Sequence, residues 1–198
     1  MSRFGARFDA AVAQFAEQNG RDPNRVQVNG EEQPKERVGA ARLAAWVERL
    51  APAGSEALHL AAHCQHLRRW EIPRSNYEAG RLGYLKWRKD LSRFHADEAS
   101  AVLRAVGYDE ATIEAVRQIN MKLGLQTNPD VAAMEDALCL SFLEHEFAEF
   151  AEKHPDEKVI DIVQKTWRKM TPEGHDLALQ LPLSGRPLEL VKRALSGS

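Results

Sequence analysis

The stretch His59-Leu-Ala-Ala-His63-Cys-Gln-His66-Leu-Arg-Arg-Trp70 sets three imidazoles at spacings of four and three, then two arginines and a tryptophan. Imidazoles at such spacings share one stripe of a helix, where they can ligate a metal, move a proton or fill a core. Of the three, His66 is the candidate ligand and His63 a candidate substrate group. His59 reads as a half-buried, hydrogen-bonded core histidine. Other groups of the same chemistry recur downstream. His95 stands in "RFHADEAS", at or near a helix start, as a candidate acid or base. Glu135 and Asp136 fall within the apolar run "AAMEDALCLSFL". A carboxylate there needs a partner, either a metal or an arginine. For Asp136 the alternative to a ligand is a buried ion pair with Arg68 or Arg69. The Glu144-His145-Glu146 group has no ligand spacing and reads as a solvated face.

A basic, aromatic segment follows the histidines. Arg68, Arg69 and Arg74 flank them, with Trp70 and Tyr77 between and beyond, and Lys165 belongs to a second such group, "QKTWRKM". Arginine offers a two-pronged contact to phosphate or carboxylate, and aromatic rings stack on a base or sugar. Arg68 is thus a candidate for stabilising developing charge. His63, Arg69, Trp70, Arg74, Tyr77 and Lys165 are candidates for holding an anionic substrate. Lys86, Lys89 and Arg93 read instead as solvated helix surface.

These residues need helices to position them, and the pattern is helical almost throughout. Phe4, Phe8, Val12 and Phe15 mark a first amphipathic helix ending near Asn19-Gly20. Residues 20–34 read as a loop, and a second helix spans 35–50. Ser55 caps the histidine helix. After a proline- and glycine-bearing loop, helix resumes near Gly83 or Tyr84. Asp109 starts another helix, and Asn128 with Pro129 starts a long one reaching to about residue 154. A helix over about 156–170 and a last one over about 186–195 complete the chain. No alternating strand stands out. The expectation is an all-α, compact helical bundle of 198 residues in one domain. It comprises an N-terminal helix and loop (1–34), a helical core (35–150) and a C-terminal helical extension (151–198).

Composition narrows the function classes. A net charge of −2 argues against coating nucleic acid by charge alone. No apolar run reaches the roughly 20 residues that span a bilayer. Cys64 and Cys139 lie in apolar helical runs without a CxxC pair, which implies reduced, unreactive thiols and a cytoplasmic setting.

The order of the pieces resembles the HD-domain superfamily of metal-dependent phosphohydrolases over residues 35–150. "LHLAAHCQHLRRW" matches the His-Asp helix, "FHADEASAVLRAVGYDEATIEAVRQI" the middle helix pair, and "MEDALCLSFL" the closing aspartate helix. The family's His-Asp pair falls on Gln65-His66, its first histidine on or near Glu36, and its last aspartate on Asp136. The resemblance therefore implies an HD-like fold and a divalent ion on Glu36, His66 and Asp136. One imidazole and two carboxylates suit Mn, Fe or Zn, and Mg less well. More closely, "AHCQHLRRWEIPR", "GYLKWRKDLSRFHADEA", "EDALCLSFLEHEF" and "KVIDIVQKTWRKM" resemble the DUF4202 proteins over nearly the whole chain. The activity implied is hydrolysis of a phosphorylated small molecule, a nucleotide foremost. The alternative is a non-catalytic HD-like module that binds an anion such as a nucleotide or RNA end. A di-iron oxygenase ranks third, because "RQIN" at 117–120 lacks the histidines that two iron sites would need.

Overall fold

Hydrophobic spacing, caps and one tight turn dictate the architecture. The computed structural model describes residues 2–196. Helix α1 (Ala6–Asn19) buries Phe8, Ala11, Phe15 and Asn19, the stripe that its three- and four-residue spacing prescribes. The expected loop after it contains a two-stranded antiparallel hairpin, β1 (Arg25–Val28) and β2 (Glu31–Pro34), with Val28 paired to Glu31. This corrects the strand-free reading. The hairpin turns on Asn29-Gly30, both at positive φ (52° and 84°), the conformation that Asn-Gly accepts at little cost.

Helix α2 (Lys35–Leu50) follows directly, behind Pro34. Proline has no side chain to cap it, and the fully buried Asp22 does so from a distance, accepting from the Glu36 N–H at 2.9 Å. That bond fixes the turn on which Glu36 stands. Helix α3 (Glu56–Cys64) is capped by Ser55, whose Oγ accepts from the Leu58 N–H. It is the hub, with seven of its nine residues buried and with α1, α2 and α5 packed against it.

The chain leaves α3 through Arg68, which adopts left-handed backbone at φ 53°, a costly choice for a non-glycine residue. Two single 3₁₀ turns (Arg69–Glu71 and Arg74–Asn76) lead to α4 (Gly80–Ala105), which begins three residues earlier than expected. Helix α4 is long and unbroken, so His95 lies in its middle and not near a start. Helix α5 (Glu110–Asn120) begins at the Asp109 cap, and α6 (Pro129–His145) at the Asn128 cap. The expected single helix to residue 154 breaks at Glu146, giving α7 (Phe147–Lys153). In a straight helix residues 142 and 147 would point about 140° apart. The bend lets Phe142 meet the fully buried Phe147 edge to face at 5.9 Å. Helix α8 (Asp156–Trp167) ends short of Met170, and an unforeseen helix α9 (Pro172–Leu179) is capped by Thr171. Helix α10 (Gly185–Leu195) packs on α8, where Arg186 and Arg193 both grip Asp156 at 2.6 and 2.5 Å.

The architecture is all-α apart from the hairpin, and one apolar cluster runs from Phe8 to Ala194. Cys64 and Cys139 are buried free thiols that desolvation pushes up to about 12, as their apolar runs imply. Among the described residues no helix is long and apolar enough to cross a membrane.

Candidate functional site

Just past the end of α3, the turn that carries His66 faces the first turn of α2 and the middle of α4. Glu36, His66 and His95 come from these three places. Glu36 is buried, and no hydrogen bond reaches its carboxylate among the described residues. Oε2 stands 4.0 Å from Nδ1 of His66. Burial raises the Glu36 carboxyl to about 7, against the opposing pull of the Arg69 cation. The His66 and His95 rings lie 6.0 Å apart.

His95 is 2% exposed, and its Nδ1 lies 2.7 Å from the Leu67 carbonyl oxygen. A carbonyl only accepts, so Nδ1 carries the hydrogen and Nε2 keeps a lone pair. That Nε2 is buried with no partner. Burial lowers the His95 ring to about 4, aided by the Arg69 and Arg88 charges, so the ring is neutral at physiological pH. His66 is also held well below its ordinary value, first by desolvation and then by Arg69, His95, Lys122 and Arg88. Yet 39% of its side chain remains accessible. With that much open to solvent and Glu36, Arg69 and His95 around it, His66 lies in a shallow recess of the surface.

The rim of this recess is basic and aromatic. The Arg69 guanidinium lies over the Trp87 ring at 5.2 Å, and Tyr84 meets Trp87 at 5.8 Å. Trp87 is fixed by donating Nε1–H to the Ile72 carbonyl at 2.9 Å. Arg69 feels Glu36 and Glu146 on one side and Arg88 on another. Lys122, like Arg68, has left-handed backbone (φ 58°). Among the described residues three non-glycine residues have positive φ, and two of them, Arg68 and Lys122, lie in the turns that follow α3 and α5.

The other expected site residues are engaged elsewhere. Asp136 accepts at Oδ1 from the Thr171 N–H (2.9 Å) and at Oδ2 from the Thr171 hydroxyl (2.5 Å). Neither Arg68 nor Arg69 is its partner. Glu135 pairs with Lys122 and Lys169, which outweigh burial and hold its carboxyl below the usual range. Arg68 pairs with Glu71 and Glu98. Arg74 donates to the carbonyls of Tyr77, Glu78 and Gly80 and so staples its own loop. Tyr77 bonds Asp90 under the Lys86 ammonium, and Lys165 pairs with Asp161 along α8. Trp70 lies half-buried in the first 3₁₀ turn. His63 sits edge-on to Phe8, lowered to about 4 by desolvation. His59 packs on Phe4 in the core. Among the described residues, no group of three or more His, Cys, Asp or Glu side chains is placed to hold a metal ion.

Sequence reasoning passed over Tyr84, Trp87 and Arg88. The signal existed. Tyr84, Arg88, Leu91 and His95 follow a four-three-four spacing, one stripe of a continuous α4. Reading His95 at a helix start, apart from the helix that resumes near Tyr84, hid it.

The chemistry of the donors can be tested against a divalent ion. Two donors bound at about 2.1 Å to one ion stand roughly 3–4 Å apart. The 4.0 Å gap between Glu36 and His66 lies at the top of that range. His95, its ring centre 6.0 Å from that of His66, carries a buried unpartnered Nε2 that would add a neutral imidazole, and a carbonyl orients it as one orients metal-bound histidines. Asp136, with both oxygens bonded to Thr171, does not fit the set.

The family described as a domain of unknown function, DUF4202, matches residues 9–191. No curated protein and no solved structure matches.

Proposed function

The chain belongs to the DUF4202 family, a membership that brings no activity with it, and from the recess itself we propose a metal-dependent hydrolase of a phosphorylated small molecule, a nucleotide foremost. The observation that carries this reading is the buried, unpartnered Nε2 of His95 beside His66 and Glu36. A lone pair left without a donor in a buried place costs free energy, and a bound ion would recover it.

Glu36 and His66, joined by His95, would hold the ion. A divalent ion there would polarise a phosphoryl oxygen and lower the pKa of a bound water. Two imidazoles and one carboxylate suit Mn, Fe or Zn better than Mg. Arg69 is the anion clamp. Its planar fork matches a phosphate, and its stacking on Trp87 fixes the plane from which it donates. Arg88 adds positive charge and has no carboxylate partner among the described residues. Tyr84, partly exposed beside Trp87, offers a face for a base. Glu36 must ionise to ligate, so ion binding is coupled to release of its proton and weakens below neutral pH.

A second reading is a metal-free anion-binding module of cytoplasmic nucleotides. The cations Arg69, Arg88 and Lys122 gathered around two neutral imidazoles favour it. One experiment separates the two. Purified protein is assayed for metal, then for phosphatase and phosphodiesterase turnover over a nucleotide panel with and without Mn²⁺. Metal-dependent turnover lost in Arg69→Ala supports the hydrolase. Nucleotide-induced thermal stabilisation without metal and without turnover supports the module.

A further inference from the structure

A second concavity lies on another face of α2, lined by the hairpin, α2 and the end of α6. It is a groove of about 570 Å³. Val28, Val38, Ala41, Ala45 and the Trp46 ring form an apolar floor, and Arg37, Arg42 and Arg49 stand around it. None of the three arginines has a carboxylate partner among the described residues. Arg49 lies over the Trp46 ring at 4.9 Å, and Arg42 is near enough to His145 to disfavour its proton. One carboxylate lines the groove, Glu144, and it is occupied. It accepts from Trp46 Nε1–H at 2.8 Å and stands 3.1 Å from Nε2 of His145.

The spacing identifies the shape of an occupant. Arg37, Ala41, Ala45 and Arg49 recur every four residues, a row that winds about 40° around α2 at each step, and all four line the groove. Twelve residues of helix span about 18 Å, so Arg37 and Arg49 stand at opposite ends of the two alanines, with Arg42 beside them. A nucleic-acid backbone would leave the apolar floor uncovered, and a free phosphate would use one arginine and none of the floor. An amphipathic peptide of three to four turns covers both. Its apolar face lies on Ala41, Ala45 and Trp46, and its carboxylates meet the arginines.

We propose that this groove docks an acidic amphipathic helix of a partner protein, through Arg37, Arg42 and Arg49 around the Val38–Trp46 floor. The contact is electrostatic at its rim, so affinity falls with ionic strength. It is independent of the recess around His66.

The test uses the full chain and a fluorescein-labelled 18-residue peptide with leucines on one helical face and glutamates on the other. Controls are the same peptide with every Glu replaced by Gln and an RNA 18-mer. Fluorescence anisotropy should show micromolar binding of the acidic peptide, at least ten-fold weaker in Arg37→Glu/Arg49→Glu. Binding should also weaken at least ten-fold in Ala45→Glu, which keeps all three arginines and fills the floor. These positions are exposed, so thermal melts should match wild type and show that the variants are folded. No binding of the acidic peptide, equal binding by the charge-reversed variant, or arginine-dependent binding of the RNA in its place would each overturn the proposal.

Discussion

Two buried carboxylate sites face one another in character across this bundle. On α6, Glu135 and Asp136 sit in an apolar run with every need met, Glu135 by Lys122 and Lys169 and Asp136 by the backbone and hydroxyl of Thr171. On α2, Glu36 is also buried and has an imidazole at 4.0 Å, a guanidinium in its field and, among the described residues, no hydrogen bond to its oxygens. The pKa directions report the difference. Lysines hold Glu135 down in spite of burial, and burial drives Glu36 up to about 7. A charge that the fold completes by itself is architecture. A buried acid without a hydrogen bond, linked through His66 to an unpartnered imidazole nitrogen, is where the proposed ion would bind.

Breaking the completed site should cost the most. Lys122→Ala leaves Glu135 buried with the more distant Lys169 at 3.6 Å, and should destabilise the protein by about 3 kcal/mol in urea unfolding. A loss under about 1 kcal/mol would show that Lys169 alone completes the site.

The incomplete site should respond with the opposite sign. In the folded, metal-free protein Glu36 keeps its proton up to about pH 7, whereas an unfolded chain loses it near 4.5. Its contribution is thus full below 4.5 and is lost as pH rises through 7, amounting to about 3 kcal/mol at most. Glu36→Gln should therefore stabilise the protein by about 2–3 kcal/mol at pH 8 and leave it unchanged near pH 4.5. The buried histidines run the other way, their stability lost as pH falls from 6.5 toward 4, but they cancel in the comparison of variant with wild type. A Glu36→Gln variant less stable than wild type at pH 8 would mean that the carboxylate is already paired.

Two further variants sharpen the contrast. Thr171→Val removes one of the two bonds to Asp136 together with the cap of α9 and should cost about 2–3 kcal/mol, read as a lowered thermal midpoint. Arg74→Ala frees three loop carbonyls near solvent and should cost under about 1 kcal/mol, with nucleotide affinity unchanged. Weakened nucleotide binding by that variant would return Arg74 to the site.

The helices were legible where local rules decide them. Ser55, Asp109 and Asn128 cap where their side chains predict, because a cap is settled within four residues of chain. The hairpin escaped although Asn29-Gly30 signalled it, since strands of four residues with half-exposed sides give little alternation. His66 and Glu36 were legible as a pair through the family pattern. The separate fate of Asp136 was not. Its partner Thr171 lies 35 residues downstream, ahead of a short helix whose apolar signal is weak, and no periodicity announces such a bond. His95 was legible as a candidate, but its tautomer is set by the Leu67 carbonyl, 28 residues away, which only the packed chain brings near.

In the proposed site Glu36, His66 and His95 together hold a divalent ion, and Asp136 takes no part. Isothermal titration of chelator-treated protein with Mn²⁺ at pH 7.5 is the decisive experiment. One ion per chain is expected, with affinity at least ten-fold weaker in Glu36→Gln, His66→Ala and His95→Ala and unchanged in folded Asp136→Asn. Binding that survives Glu36→Gln and His95→Ala, or that is lost in folded Asp136→Asn, would contradict the proposed site.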